Sequence, residues 1–311
     1  MKDFKDWGVR IRNIKEYNYT AVWSNLKTIR LGESVEDIKE LPPHLSEFYD
    51  VGINTKCNAQ CPFCYVGATN KGENFSNICE TWSKWMERYP SKVVKGVKHT
   101  LKPFQIAIGS TGEPTVHPEF SKFLETVYST DVVPNYTTNG IILSNINDSK
   151  CMEILEATKN FVGGVAVSFG NESIRGHAVK AVENILKYGD CKVMIHHLIS
   201  DMRSVDGFVH CAKAYSDDVH YHVLLPLMRH GRSDKGMDKG VFEYMQSEII
   251  KNGIKNVAFG ANFFPYLKDS ELPVNTYPQE AYSKNIILNN KVIITPSSYN
   301  LNPIMTVKCL E

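Results

Sequence analysis

The sequence predicts an α/β protein built as a partial (β/α)6 barrel, TIM-like, with parallel strands inside and helices outside. Three observations carry that expectation. Apolar runs of strand length alternate with segments whose apolar residues recur at helical spacing. From the second run onward the strands begin near residues 104, 132, 164, 191 and 219, and gaps of roughly 30 residues are the length of one βα unit. Six such units suit an open barrel better than the closed eightfold one.

Residues 8–31 alternate loosely, with Val9, Ile11 and Ile14, the run 17–23, then Leu26, Ile29 and Leu31. They read as a short antiparallel pair, a β-hairpin extension over 1–45 that Leu41-Pro-Pro-His closes. The barrel is expected over 46–255. Its strands are read at 48–53, 104–109, 132–138, 164–169, 191–199 and 219–225, its helices at 76–88, 119–129, 151–158, 172–188, 205–215 and 239–251. In the first helix Ile78, Trp82, Trp85 and Met86 share a face, and Ser76 is placed to cap it. Beyond lies an extension over 256–311. It holds the stretch 256–264, a polar segment running to Pro278, and two apolar runs around Asn289-Asn290 that read as a hairpin.

The composition excludes several classes. The 311 residues are 42% hydrophobic and 22% charged, as in ordinary globular chains. A formal net charge of +1 gives no chain-wide electrostatic case for nucleic acid. No apolar run approaches the ~18 residues of a membrane span. The start, Met1-Lys-Asp-Phe-Lys-Asp-Trp, lacks a signal peptide's apolar core, so a cytoplasmic location is the default expectation. Of eight cysteines, Cys79, Cys151, Cys191, Cys211 and Cys309 are scattered with reduced thiols, and at least four of them read as small buried residues.

The other three cysteines lie together. Residues 54–65 read Asn-Thr-Lys-Cys-Asn-Ala-Gln-Cys-Pro-Phe-Cys-Tyr, directly after the first strand. Cys57, Cys61 and Cys64 follow the spacing Cys-x3-Cys-x2-Cys. Thiolates suit iron–sulfur clusters and zinc. Three of them hold three corners of a four-iron cluster and leave one iron open to a small molecule. The rival account is a zinc site whose fourth ligand comes from His117 or Cys79.

This spacing, with Phe63 before the last cysteine and Tyr65 after it, resembles the radical S-adenosylmethionine (SAM) enzymes. The resemblance implies a [4Fe-4S] cluster on Cys57, Cys61 and Cys64, with SAM chelated at the open iron. It further implies oxygen-sensitive chemistry in which SAM is cleaved reductively to a 5′-deoxyadenosyl radical that abstracts hydrogen from a substrate. An external one-electron donor of flavodoxin or ferredoxin type would be required.

Functional groups of βα folds gather at the C-terminal ends of strands, and the ends of the second, third, fourth and sixth strands here carry candidate motifs. Gly109-Ser-Thr-Gly-Glu-Pro resembles the family's Gly-Gly-Glu turn, which meets the SAM amino group, with Thr111 departing at the first glycine. Thr111, Gly112 and Glu113 are the candidates there. Thr138-Asn-Gly resembles the turn whose asparagine, here Asn139, bonds near the ribose or methionyl end. Ser168 and Arg175 resemble the pair that grips the SAM carboxylate, with Arg175 as a solvated helix residue the alternative. Leu225 and Phe63 match positions that pack on adenine, and both read equally as core residues.

Alternation along the fifth strand sends one of His196 and His197 inward and the other out. Neither they nor His220 and His222 match a metal-binding helical His pair. The final hairpin resembles the SPASM and twitch extensions of peptide-modifying members, but only Cys309 lies near it. A second cluster needs several more thiolates, so the expectation is a cysteine-depleted remnant. The substrate is then a peptide or protein side chain, with a small molecule or nucleotide as the alternative. A radical SAM-like protein that binds without catalysis is a third possibility, which nothing in the sequence favours.

Overall fold

The computed structural model describes residues 7–24, 27–31, 41–267, 270, 272 and 283–310. β1 (Arg10–Ile14), β2 (Tyr19–Trp23) and β3 (Thr28–Leu31) form an antiparallel meander rather than a simple pair. β4 (Phe48–Gly52) starts the barrel and leads through the cysteine loop to α1 (Ile78–Met86). Ile78, Trp82, Trp85 and Met86 are buried on one face of α1, as their spacing requires. Its cap differs from expectation. Asn77 stands at the N-cap position, while the Ser76 hydroxyl donates instead to Asn290 Oδ1 at 3.3 Å.

After α1 comes a hairpin that the sequence reading left out, β5 (Ser91–Val94) and β6 (Val97–Thr100). Its turn uses Lys95 and Gly96, both at positive φ, and Val93 and Val94 are exposed. Neither an Asn-Gly turn nor a buried apolar run marked it. β6 pairs in parallel with β1, giving a separate five-stranded sheet ordered β3-β2-β1-β6-β5.

The barrel units then follow. They are β7 (Gln105–Ile108) with α2 (Phe120–Ser129), β8 (Val133–Thr138) with α3 (Ser149–Phe161), and β9 (Gly164–Ser168) with α4 (Arg175–Tyr188). β10 (Lys192–Ile199) with α5 (Met202–Ala214) and β11 (Tyr221–Pro226) with α6 (Lys239–Lys251) complete the six. The helix after the fourth strand was expected to start at 172, but residues 172–174 form a single 3-10 turn before α4.

The stretch 256–264 contributes β12 (Val257–Phe259), a seventh parallel strand on β11, before the short α7 (Phe264–Leu267). The expected hairpin is β13 (Ser283–Leu288) and β14 (Lys291–Thr295), extended by β15 (Met305–Lys308). β13 runs parallel to β4 and covers its free edge. The sheet order is β12-β11-β10-β9-β8-β7-β4-β13-β14-β15. Much of the polar segment up to Pro278, residues 1–6 and residues 32–40 lie outside the described residues. Among the described residues no helix is long and apolar enough to cross a membrane.

Two faces of this sheet matter for the site. The helix side buries Tyr49, Val51, Ile106, Ile108, Val165, Val167, Val193 and Ile195 in one continuous core with the helices. The opposite, lumen side carries the alternate residues, among them Asp50, Ser168, His196, Leu198 and Leu225, all half-buried.

Candidate functional site

Cys57, Cys61 and Cys64 are half-buried free thiols on the loop leaving β4. The loop is tied to the next strand end. Cys57 N–H donates to Thr69 O at 2.8 Å, Glu113 N–H to Lys56 O at 2.9 Å, and Asn54 Nδ2 to Glu113 O at 2.8 Å. The Thr111 hydroxyl donates to Asn54 O at 2.6 Å. Gly112 is required by this close approach: a Cβ there would stand 2.5 Å from Asn54 Oδ1 and 2.8 Å from Lys56 O.

The Glu113 carboxylate is turned inward. Oε1 accepts from the Thr115 amide and hydroxyl and from the Thr138 hydroxyl, and Oε2 accepts from the Asn139 amide at 2.8 Å. It therefore links the ends of β7 and β8. Burial pushes this carboxyl up, and the hydrogen bonds from Thr115, Asn139 and Thr138 oppose that. The neighbouring Ser110 hydroxyl is buried without a hydrogen-bond partner among the described residues.

Asn139 serves both the turn and the cysteine loop. Its Oδ1 accepts from Ile141 N–H at 2.9 Å, and its Nδ2 donates to Asn58 Oδ1 at 2.8 Å and to Cys57 Sγ at 3.8 Å. Cys57 Sγ also accepts from Ala59 N–H at 3.4 Å, and Cys61 Sγ from Asn171 Nδ2 at 3.2 Å. Burial pushes the Cys57 and Cys61 thiols up. The hydrogen bonds to sulfur pull them down, and at Cys61 the Arg232 charge assists. Such N–H···S bonds are what a thiolate ligand to iron needs around it.

Arg232, on the loop after β11 and not singled out by the sequence, fastens the cysteine loop. Its guanidinium donates to Cys61 O at 2.7 Å, Gly67 O at 2.9 Å and Ala68 O, and its amide donates to Cys64 O. Gly231 before it has φ +63°, and a Cβ there would stand 2.3 Å from Tyr65 O. The detectable signal was a Gly-Arg pair just past a strand end. Asn171, from the loop after β9, was missed for the same reason: one polar residue among several has no spacing signature.

Tyr65 donates through its hydroxyl to Ser110 O at 3.1 Å, and its ring stacks on Tyr299 at 4.6 Å. The C-terminal extension thus reaches the cysteine loop. The Phe63 ring and Leu198 both lie against Gly170. Leu225 shares the register of Leu198 and lies against Gly260. Ser168 is level with His196 on the lumen face. Arg175 does not converge with these residues. It is exposed at the start of α4, with Nη1 against Gly207 of α5.

The two histidines divide as alternation requires. His196 faces the lumen, where burial lowers it to about 4 and keeps it neutral. His197 faces the helices, 3.0 Å from His222. His117, offered as a fourth zinc ligand, has both ring nitrogens engaged, Nε2 with Phe75 O and Nδ1 with Glu119 N–H. Nor do the three loop cysteines belong to a group of ligand atoms within 4.8 Å of one another; among the described residues only His197, Cys211 and His222 form one.

No protein-family model matches the chain. It is 23% identical over 208 residues to mycofactocin maturase MftC of Mycobacterium ulcerans, covering 59% of this chain and 52% of that protein. The chain therefore spans about half the length of the curated relative it matches. Streptococcus suis SuiB bound to precursor peptide SuiA superposes with a TM-score of 0.64 at 12% identity, over 96% of this chain and 84% of that one. SuiB bound to S-adenosylmethionine gives 0.60 at 12% identity over 95% and 82%. The structure of anSMEcpe with bound AdoMet gives 0.51 at 14% identity over 81% and 74%. The fold is shared with SuiB and anSMEcpe, a partial barrel of parallel strands.

Proposed function

We propose that this chain is a radical SAM enzyme that acts on a peptide or protein side chain. The observation that carries the reading is the cysteine loop itself. Three half-buried thiols with amide donors at two of the sulfurs stand at the C-terminal end of β4, beside strand ends that present the remaining motifs. Cys57, Cys61 and Cys64 would hold a [4Fe-4S] cluster, which when bound supplies the electron for homolytic cleavage of SAM.

The chain's own groups would do the rest. The turn at Thr111, Gly112 and Glu113 presents backbone to the SAM amino group while the Glu113 carboxylate keeps that turn fixed. Asn139 orients the cysteine loop and the ribose side together. Ser168 meets the carboxylate, and Arg175 joins it on swinging away from α5. Phe63 and Leu225 flank adenine, and Tyr65 closes the loop side against water. A flavodoxin- or ferredoxin-like protein would deliver the electron. The peptide reading is supported by the precursor peptide that SuiB binds and by the maturase name of the curated relative.

Anaerobically reconstituted protein should be brown, carry about four irons per chain and form 5′-deoxyadenosine when reduced with SAM. Changing Cys57, Cys61 or Cys64 to Ala should remove both properties. Colourless protein that holds zinc at these cysteines would overturn the reading.

A further inference from the structure

On the helix side of the sheet, away from the cysteine loop, lies a second cluster of soft ligands. His197 of β10, Cys211 of α5 and His222 of β11 place one ligand atom each within 4.8 Å of one another. All three are buried, at 5%, 8% and 0% exposure. They come from a single βαβ unit. His222 pairs in register with Ile195, two residues before His197 on the same face, and the crossover helix lays Cys211 over both.

The hydrogen bonding within the cluster is sparse. His197 Nε2 and His222 Nδ1 share one hydrogen bond of 3.0 Å, and His222 Nε2 is buried with no hydrogen-bond partner among the described residues. An unsatisfied buried nitrogen costs roughly 1–3 kcal/mol. The surroundings give no relief. Phe208 stands edge-on to both rings, 5.2 Å from His197 and 6.2 Å from His222, and Phe169 stands 5.9 Å from His197. Two imidazoles and a thiol walled by phenyl rings are the donor set and the dielectric of a soft metal centre.

We infer that His197, Cys211 and His222 form a binding site for one soft d10 metal ion, zinc(II) or copper(I), separate from the cysteine loop. Nitrogens about 2.0–2.1 Å from one ion stand roughly 3.3 Å apart in a tetrahedron, so the present pair needs to open by only a few tenths of an ångström. Binding replaces the hydrogen bond between the rings and releases the Cys211 proton to solvent. Burial pushes the Cys211 thiol up to about 12 and the Arg175 charge opposes this only in part, so the ion itself must stabilise the thiolate. One thiolate neutralises copper(I) completely, whereas zinc(II) keeps one positive charge and a fourth position. The ion would pin β10, α5 and β11 together.

The test uses full-length, cluster-loaded protein. Separate samples are incubated anaerobically with zinc(II) or with copper(I), passed over a desalting column with a competing chelator, and analysed for iron, zinc and copper. About one zinc or copper per chain should remain beyond the iron. Cys211→Ser and His197→Gln should lose that ion with iron unchanged, and protein lacking Cys57, Cys61 and Cys64 should keep it. X-ray absorption at the metal edge should show one sulfur and two imidazole nitrogens, a readout that needs no variant to fold. Retention of neither metal, retention that follows the loop cysteines, or a sulfur-only or oxygen-only shell overturns the inference.

Discussion

At the scale of single residues, the side chains that matter most hold other groups rather than meeting a ligand themselves. Glu113 spends its carboxylate on Thr115, Thr138 and Asn139, and Arg232 spends its guanidinium on three loop carbonyls. Arg232→Lys keeps the charge but loses the planar fork that spans Cys61, Gly67 and Ala68. It should cost about 2–3 kcal/mol in chemical denaturation, on the scale of charged hydrogen bonds, and lower the iron retained per chain after reconstitution. Unchanged iron content and stability would show that the loop holds itself. The sequence exposed the three cysteines because their spacing is a chemical pattern. Arg232 and Asn171 stayed hidden because each acts from a distant loop, 171 and 110 residues from Cys61, and such pairings exist only after folding.

At the scale of elements, the alternation of βα units was readable because each burial pattern repeats locally: α1 buries Ile78, Trp82, Trp85 and Met86, and β10 alternates along its whole length. Edge elements were not. β5 and β6 show no apolar periodicity, since Val93 and Val94 face solvent, and β12 is three residues long. The cap of α1 was misread because Ser76 answers to Asn290 on the β13–β14 turn, a partner 214 residues away. That turn also accepts from Asn77 at 2.9 Å. β13 thus supports both β4 and the start of α1. Ile286, fully buried and in register with Val51, carries that support. Ile286→Ala should cost about 2–5 kcal/mol in urea denaturation. A loss below about 1 kcal/mol would mean that β13 is dispensable to the barrel.

For the whole molecule, one response to pH comes from the lumen. Asp50 sits on the lumen face of β4, level with Ala107 and Asn285, and burial raises it to about 7. A carboxyl raised in the folded state stabilises fully below its unfolded value, about 4, and that contribution is lost as pH climbs through about 7. The wild type should therefore lose up to about 4 kcal/mol relative to Asp50→Asn between those limits. Denaturation of both proteins at several pH values measures the difference directly. A flat difference would show that the Asp50 carboxyl is solvated.

The parallel pairing of β13 with β4 has a further consequence for how the protein comes into being. Ser283 sits beside Phe48, 235 positions later in the chain. While the polypeptide is still emerging from the ribosome, the first barrel strand keeps a bare flank, and the cysteine loop that follows it lacks Tyr299 as its neighbour. Long-range closures of this kind are slow. The interval before them is when the loop stands most accessible to iron delivery and to oxygen alike. Pulse-labelled nascent chains halted before residue 283 should accordingly show thiols at Cys57, Cys61 and Cys64 that alkylate faster than in the finished protein.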